Sequence, residues 1–419
     1  MKQLEVYLPT DWPAKLGLSS GTQSTDRGWH VGTLAESDLR CYFEYAPEFL
    51  RNPVWLSPFK LPPESGLREH RDLAFGPLFG LFDDSLPDGW GLLLMDRYLH
   101  SRNVALETVS PLDRLAFLGA RTMGALSYYP PSDREPIPIR ALHLHELAKE
   151  AYRVLRGPVE DVLPQLLQSG GSPGGARPKI LVGLKGNELV TAPDPLPDGY
   201  EGWMIKFHAR EDAVDDGRIE YAYSQMARAA GILMPPTRLF TTGQGDAYFG
   251  VARFDRTGSL RHHVHTFGNL IHANFRVPGC DYRQLLRVTR VLTRNQRDVE
   301  AALRVMVFNI AAHNRDDHVK NFAFILPAGG DWQLAPAYDL TFSPGPGGEH
   351  TMTVAGEGRR PTLVHVQLVA DEAGIAPRRA AEIVADVHAA VAAWPAFAAE
   401  AGLSLQRTQD VQQALSVLS

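Results

Sequence analysis

The 419-residue sequence predicts an α+β fold assembled from two or three packed units. Strand-like runs broken by Pro and Gly fill the stretch from Leu4 to about Pro130, whereas from Tyr282 onward apolar positions recur mainly at helical spacing. Between these lie, in order, a glycine-rich turn, a lysine-bearing strand, a helix and a hairpin. The balance of 44% hydrophobic to 21% charged residues is that of a chain that buries a core.

In chain order, VYLP and CYFEYA read as strands, and GLLLMDRYLHSRN places Leu92, Leu93, Tyr98 and Leu99 at helical spacing. LDRLAFLGARTMGALSYYP passes from helix into strand and stops at Pro130 and Pro131. Residues 143–168 read as helix, and SGGSPGGARPK then turns into the apolar run from Ile180 to Leu184. WMIKF alternates as a strand, and IEYAYSQMARAAGI is an amphipathic helix with Gly231 as its stop. TRLFTT and AYFGVARF, joined by GQGD, have hairpin chemistry. YRQLLRVTRVL and VEAALRVMVFNIAAHN are helices, and the second delivers the chain to NRDDHVKN. FAFIL and WQLAP follow as strands joined by PAGGD, and an Ala-rich helical stretch runs from Arg378 to the end. The expected units are 1–132, 133–255 and 256–419.

A net charge of −6 argues against an overall electrostatic clamp for nucleic acid. Cys41 and Cys280 are too few for a disulfide framework or a zinc cluster, which fits a reducing compartment. MKQLEVYLPTDWP lacks the apolar core of a signal peptide, and the Ala-rich run near Ala389 is interrupted by Pro395 and Glu400. A cytoplasmic protein is expected.

Phosphoryl transfer needs a carboxylate near the accepting hydroxyl, metal ligands on the phosphates and cations against their charge. HNRDDHVKNFAF supplies these: Asp316 and Asn321 stand five residues apart, the interval between base and metal-binding asparagine in the protein-kinase catalytic loop. A hairpin later, Asp339 arrives as a second metal ligand. Lys206, inside an apolar strand, requires an anionic partner, and Glu220 on the next helix is placed to hold it. Gly170, Gly171, Gly174 and Gly175 permit close approach of backbone amides to an anion, with Arg177 and Lys179 adding charge. The missing GK[ST] sets this loop apart from a P-loop. A rival reading makes His313, Asp316, Asp317 and His318 ligands of a hydrolytic metal. His262, His263, His265 and His272 cluster without ligand spacing and receive no role.

These motifs resemble the HipA family of serine/threonine kinases, the toxins of HipBA-type toxin–antitoxin modules. The likeness runs through FEYAPEFLRNPVWLSPFKLP, FGLFDDSLPDGWG and LGARTMGALSYYP, then through SPGGARPK, WMIKF, EYAYSQMARAAGI, VARFDR, DDHVKNFAF and APAYDLT. The resemblance implies a protein-kinase-like, two-lobed fold with a HipA-type N-terminal subdomain and an all-helical C-lobe. It implies Asp316 as catalytic base, with Asn321 and Asp339 holding Mg2+ on ATP and His318 and Lys320 beside the phosphates. It further implies that Gly174, Gly175, Ala176, Arg177, Pro178 and Lys179 form the phosphate loop, with Lys206 as the ATP lysine. Ala252, Arg253 and Phe254 would meet the adenine through their backbone, Tyr338 would line the nucleotide site, and Ser172 would be autophosphorylated. The implied partners are a small DNA-binding HipB-like antitoxin, DNA only through that complex, and a protein substrate such as an aminoacyl-tRNA synthetase.

Arg177 departs from the glutamine usual in the family's loop, Ala252 replaces an acidic or polar residue, and Asp317 adds a second carboxylate beside Asp316. Asp316 is favoured as base by its spacing to Asn321, with Asp317 a competitor. Two alternatives to an active protein kinase stay open: a weakly active nucleotide-binding regulator working with a DNA-binding antitoxin, and a small-molecule kinase.

Overall fold

The computed structural model describes residues 1–18, 24–132, 139–157, 166, 175–192, 194–208, 215–243 and 245–415. Three larger antiparallel sheets, a two-stranded ribbon of Arg256–Thr257 and Leu260–Arg261, and a mainly helical C-terminal part organise them.

The first sheet runs in the order Arg68–Glu69, Arg40–Tyr45, Gly28–Ser37, Lys2–Leu8, Ser127–Tyr129, with Ser24–Thr25 paired to Gly28–Ser37. Alternation in Arg40–Tyr45 puts Cys41, Phe43 and Tyr45 inside, as period-two patterning requires. The second sheet has the order Thr237–Thr241, Ala247–Ala252, Glu201–Lys206, Lys179–Lys185, Glu188–Thr191. The expected hairpin is its Thr237–Thr241 and Ala247–Ala252 pair. Helix Asp216–Ala229 crosses this sheet closely: a β-carbon on Gly217 would lie 2.5 Å from the Ala247 carbonyl oxygen.

Helix Gln296–Ala311 forms the axis of the C-terminal part and is buried along nearly its whole length from Val299. Asn295 caps it, and Asp281 and Gln284 form a capping box on Tyr282–Thr293, each cap contributing about 1 kcal/mol. Helices Leu363–Glu372, Pro377–Ala392, Trp394–Glu400 and Leu405–Gln412 complete it. The expectation of an all-helical C-lobe is corrected by a third sheet, in which His263–Thr266, Ala323–Leu326 and Gln333–Leu334 pair in turn. FAFIL finds its strand partner in the histidine-rich segment, burying Phe324 and Ile325. Helix Leu363–Glu372 was not legible, because its three valines weaken helix propensity; a capping box between Thr362 and His365 starts it.

Packing crosses the boundary expected near residue 132. Trp90, Leu94 and Met95 of helix Gly89–Ser101 join Ile180, Val182 and Ile205 of the second sheet in one buried cluster. Leu78 to Phe82 likewise share a core with Phe267 and Leu270. No single helix among the described residues is long and apolar enough to cross a membrane.

Candidate active site

Lys206 ends a central strand of the second sheet and is 6% exposed. Its ammonium contacts the Glu220 carboxylate on helix Asp216–Ala229 and the Asp339 carboxylate arriving from the C-terminal part. Burial works to remove the lysine proton, but Asp339 and Glu220 outweigh it and hold Lys206 above the ordinary lysine value. Lys179 faces Lys206 across the strand pairing and is buried as well. Burial, reinforced by the Lys206 charge and opposed by Asp339, brings Lys179 down to about 8. Asp339 sits in the left-handed region at φ 57°, a conformation that aspartate tolerates better than most residues. Burial pushes its carboxyl upward, yet Lys206 and Lys179 hold it far below the usual carboxylate range.

Helix Gln296–Ala311 ends in a turn at His313, with φ 53°, whose ring stacks on Phe342. The two adjacent aspartates that follow have opposite surroundings. Asp316 is exposed. Asp317 is 1% exposed and accepts from Tyr282 Oη at 2.7 Å, His350 Nδ1 at 2.8 Å and the Thr351 N–H at 2.8 Å. Tyr282 Oη in turn accepts from Asn309 at 3.0 Å, and Asn309 accepts from Asn314 at 2.9 Å. Asp317 is therefore committed to holding the loop, and Asp316 is the carboxylate left exposed. Partial burial raises the Asp316 pKa, with His318 opposing and Asp339 and Asp317 reinforcing the shift. The commitment of Asp317 also counts against the hydrolytic-metal reading. Among the described residues, no three His, Cys, Asp or Glu side chains group as a metal site.

Asn321 donates from Nδ2 to the Asp316 carbonyl at 2.6 Å, which leaves its amide oxygen as an acceptor. With Asp339 it offers the hard oxygen donors that Mg2+ prefers, and the phosphates would supply more. His318 accepts the Lys320 N–H at Nδ1, 3.2 Å away. Lys320 Nζ lies 3.0 Å from Asp83 Oδ2 and over the Phe275 ring. Burial lowers the Lys320 pKa, but Asp83, Asp84 and Asp88 overcome it and hold the group raised.

Gly174 and Ser172 lie outside the described residues. Gly175, at φ 94°, donates its N–H to Asp88 and accepts from the Trp90 N–H at 3.0 Å. Ala176 packs against Gly89, and the Pro178 carbonyl accepts the Phe207 N–H at 2.8 Å. Arg177 stands 3.7 Å from Asp216. Burial works to lower its pKa, but Glu220, Asp216, Asp339 and Asp316 keep it raised, which places the guanidinium among the cleft carboxylates. Of the residues expected to meet adenine, Ala252 and Arg253 already donate their N–H groups to the Pro236 and Gly202 carbonyls, each at 2.8 Å. The Phe254 ring stacks on Tyr338. The Arg253 side chain turns away to Asp255, while Tyr338 Oη donates to the Lys320 carbonyl at 2.6 Å.

Sequence reasoning missed the carboxylates of FDDSLPDGWG. Asp83 and Asp84 both accept from Asn269 Nδ2, at 2.9 and 2.8 Å, and Asp84 also accepts the Thr266 N–H at 2.9 Å. The unassigned histidines sit at the same junction. His263 meets the Leu56 carbonyl at 2.9 Å, His265 pairs with Asp84, and His272 accepts the Gly80 N–H at 3.0 Å. His262 contacts Thr257 at 2.8 Å. Ser57, His265 and Asp84 are linked in the order of a hydrolase triad, but Ser57 is fully buried, so the chain of bonds is structural.

A buried lysine and glutamate on strand and helix, an exposed aspartate with an asparagine five residues on, and a later aspartate facing the lysine mark the cleft of a protein-kinase-like fold. The HipA N-terminal domain model matches residues 26–129, and the HipA-like C-terminal domain model matches residues 171–394. The chain belongs to the HipA family. A solved structure from Shewanella oneidensis MR-1, a complex of HipA, HipB and operator DNA, superposes with a TM-score of 0.70. The superposition covers 98% of this chain and 95% of that one at 17% identity, a likeness of fold. A curated Sinorhizobium fredii protein, Y4dM, provisionally named a kinase, is 28% identical over 152 residues. That match covers 33% of this chain and 36% of the relative, so the chain spans about a third of the relative's length.

Proposed function

We propose that this chain is an ATP- and Mg2+-dependent kinase that phosphorylates serine or threonine on a protein and serves as the toxin of a cytoplasmic toxin–antitoxin module. The observation that carries the reading is the cleft itself: an exposed Asp316 beside Asn321, and Lys206 held between Glu220 and Asp339. Bound Mg2+, held by Asn321 and Asp339, would supply charge neutralisation on the phosphates. Lys206 and Lys179 set two cations against the nucleotide phosphates, and nucleotide competes with Asp339 for the Lys206 ammonium. Asp316 accepts the proton of the attacking hydroxyl, and its raised pKa brings it closer to that task than an ordinary aspartate. Asp317 keeps the loop rigid beneath it.

The family resemblance supports the finer elements: a HipB-like DNA-binding antitoxin as partner, an aminoacyl-tRNA synthetase as substrate class, and self-phosphorylation at Ser172. The HipA relative that shares this fold was solved with HipB and operator DNA. The commitment of Asp317 to Tyr282, His350 and Thr351 supports Asp316 as the single base, against the reading of a weakly active nucleotide-binding regulator. The test is transfer of label from γ-labelled ATP, in Mg2+, to protein in a cell lysate. Label on serine or threonine is expected with the wild type and not with Asp316→Asn. Label on metabolites but never on protein overturns the protein-kinase reading.

A further inference from the structure

We infer that Asp88 is a positioning residue of the nucleotide cleft, reaching from the N-terminal unit to fix the root of the glycine loop and the catalytic-loop lysine together. The inference rests on the kinase reading above. Asp88 immediately precedes helix Gly89–Ser101 with extended backbone, the usual setting of a capping aspartate. Its side chain makes no capping bond. Instead, one carboxylate oxygen takes the Gly175 N–H and the other stands 4.0 Å from Lys320 Nζ. The helix start forgoes a favourable interaction, and the carboxylate serves two segments 87 and 232 residues away in the sequence.

The neighbouring contacts aim at the same target. Trp90 donates its backbone N–H to the Gly175 carbonyl at 3.0 Å and its indole N–H to the Lys179 carbonyl at 2.9 Å. A β-carbon on Gly89 would stand 2.6 Å from Ala176 Cα, so the two backbones pack directly. Gly175 turns at φ 94°, where a side chain would be strained, and its amide direction is set by the Asp88 bond. Asp83 secures Lys320 from the same segment at 3.0 Å. An anionic Asp88 cannot ligate phosphate. It acts through Gly175 and Lys320, fixing the Gly175 amide at the root of the loop and the reach of the lysine.

The test compares wild type, Asp88→Asn and Asp88→Ala by Mg-ADP titration calorimetry, by amide exchange across residues 175–185, and by KM for ATP against kcat. Asparagine keeps an acceptor for Gly175 but loses the charge facing Lys320, whereas alanine loses both. Asp88→Ala is expected to weaken Mg-ADP about tenfold and to speed exchange at Gly175 to Lys179. Asp88→Asn should restore most of the exchange protection and part of the affinity. KM should rise in both variants, with kcat within about twofold of wild type, a split that plain loss of stability does not produce. If Asp88→Ala does not fold, Asp88→Asn decides by the same readouts. Wild-type affinity, exchange and KM in the variants would overturn the positioning role and leave the kinase reading standing. Failure of the wild type to bind Mg-ADP or Mg-ATP would instead remove the kinase reading, and this inference with it.

Discussion

Replacing each of the adjacent aspartates by asparagine should give opposite results. In Asp317→Asn, the amide oxygen can still accept the Thr351 N–H, but an NH2 group then faces Tyr282 Oη and His350 Nδ1; His350 can accept it by changing tautomer, whereas the Tyr282 hydroxyl loses its acceptor. Tyr282 cannot simply reverse its bond, because its hydroxyl oxygen already accepts from Asn309. A buried donor left without an acceptor costs about 1–3 kcal/mol, and the stranded Tyr282 hydroxyl sets that cost here. Asp317→Asn should therefore lower Tm by several degrees and impair transfer only as far as the loop loosens. Asp316→Asn changes an exposed side chain, so Tm should stay within about 1 °C while transfer falls roughly 10²–10⁴-fold. Thermal unfolding and labelled-ATP transfer on the same preparations give the comparison. Full activity in Asp316→Asn, together with lost activity at unchanged Tm in Asp317→Asn, would refute this assignment of roles.

Three further outcomes follow from the charges of the cleft and the junction. Lys206→Met leaves Glu220 buried without its cation and should cost about 3–5 kcal/mol of stability, which Lys206→Met/Glu220→Gln should largely recover without recovering transfer; denaturant titration with transfer assays checks both. Lys179, at about 8, is partly deprotonated at pH 8, so nucleotide phosphates should draw a proton onto it; calorimetry in buffers of different ionisation heat should register uptake near pH 8 that Lys179→Met abolishes. Burial pushes His272 down to about 4 and His263 to about 3, so the unfolded chain binds their protons first and stability should fall as pH drops below about 6.5. Asparagine suits the left-handed backbone of His272, so His272→Asn should flatten that fall in melts between pH 7 and 4.5.

The cleft was legible where the chemistry is local. Asp316, Asn321 and Asp339 lie within one loop and hairpin, and Lys206 and Glu220 lie on successive elements, so spacing alone could group them. Spacing to Asn321 favoured Asp316 over Asp317, but what Asp317 does was beyond local reading, because its partners Tyr282 and His350 are 35 and 33 residues away. Asp83 and Asp88 were invisible for the same reason: their partners Lys320 and Gly175 are 237 and 87 residues distant. Three aspartates within six residues beside Pro and Gly read as a solvated turn until the fold brings cations and amides to them. The histidines of RHHVHTFGNLIHANF gave no metal spacing, and their use as buried acceptors and donors at a junction leaves no regular pattern in sequence. Strand FAFIL was recognised, but its partner His263–Thr266 was not, because the two are about 60 residues apart; the all-helical C-lobe came from the family resemblance.

The central claim, a kinase that uses Asp316 as its base, is tested most directly by mass. Wild type and Asp316→Ala, both first treated with phosphatase and repurified, are incubated with ATP and Mg2+ and examined by intact mass and peptide mapping. A phosphate gained by the wild type alone, mapping to the peptide with Ser172, is the predicted result. A phosphate gained equally by Asp316→Ala would contradict it.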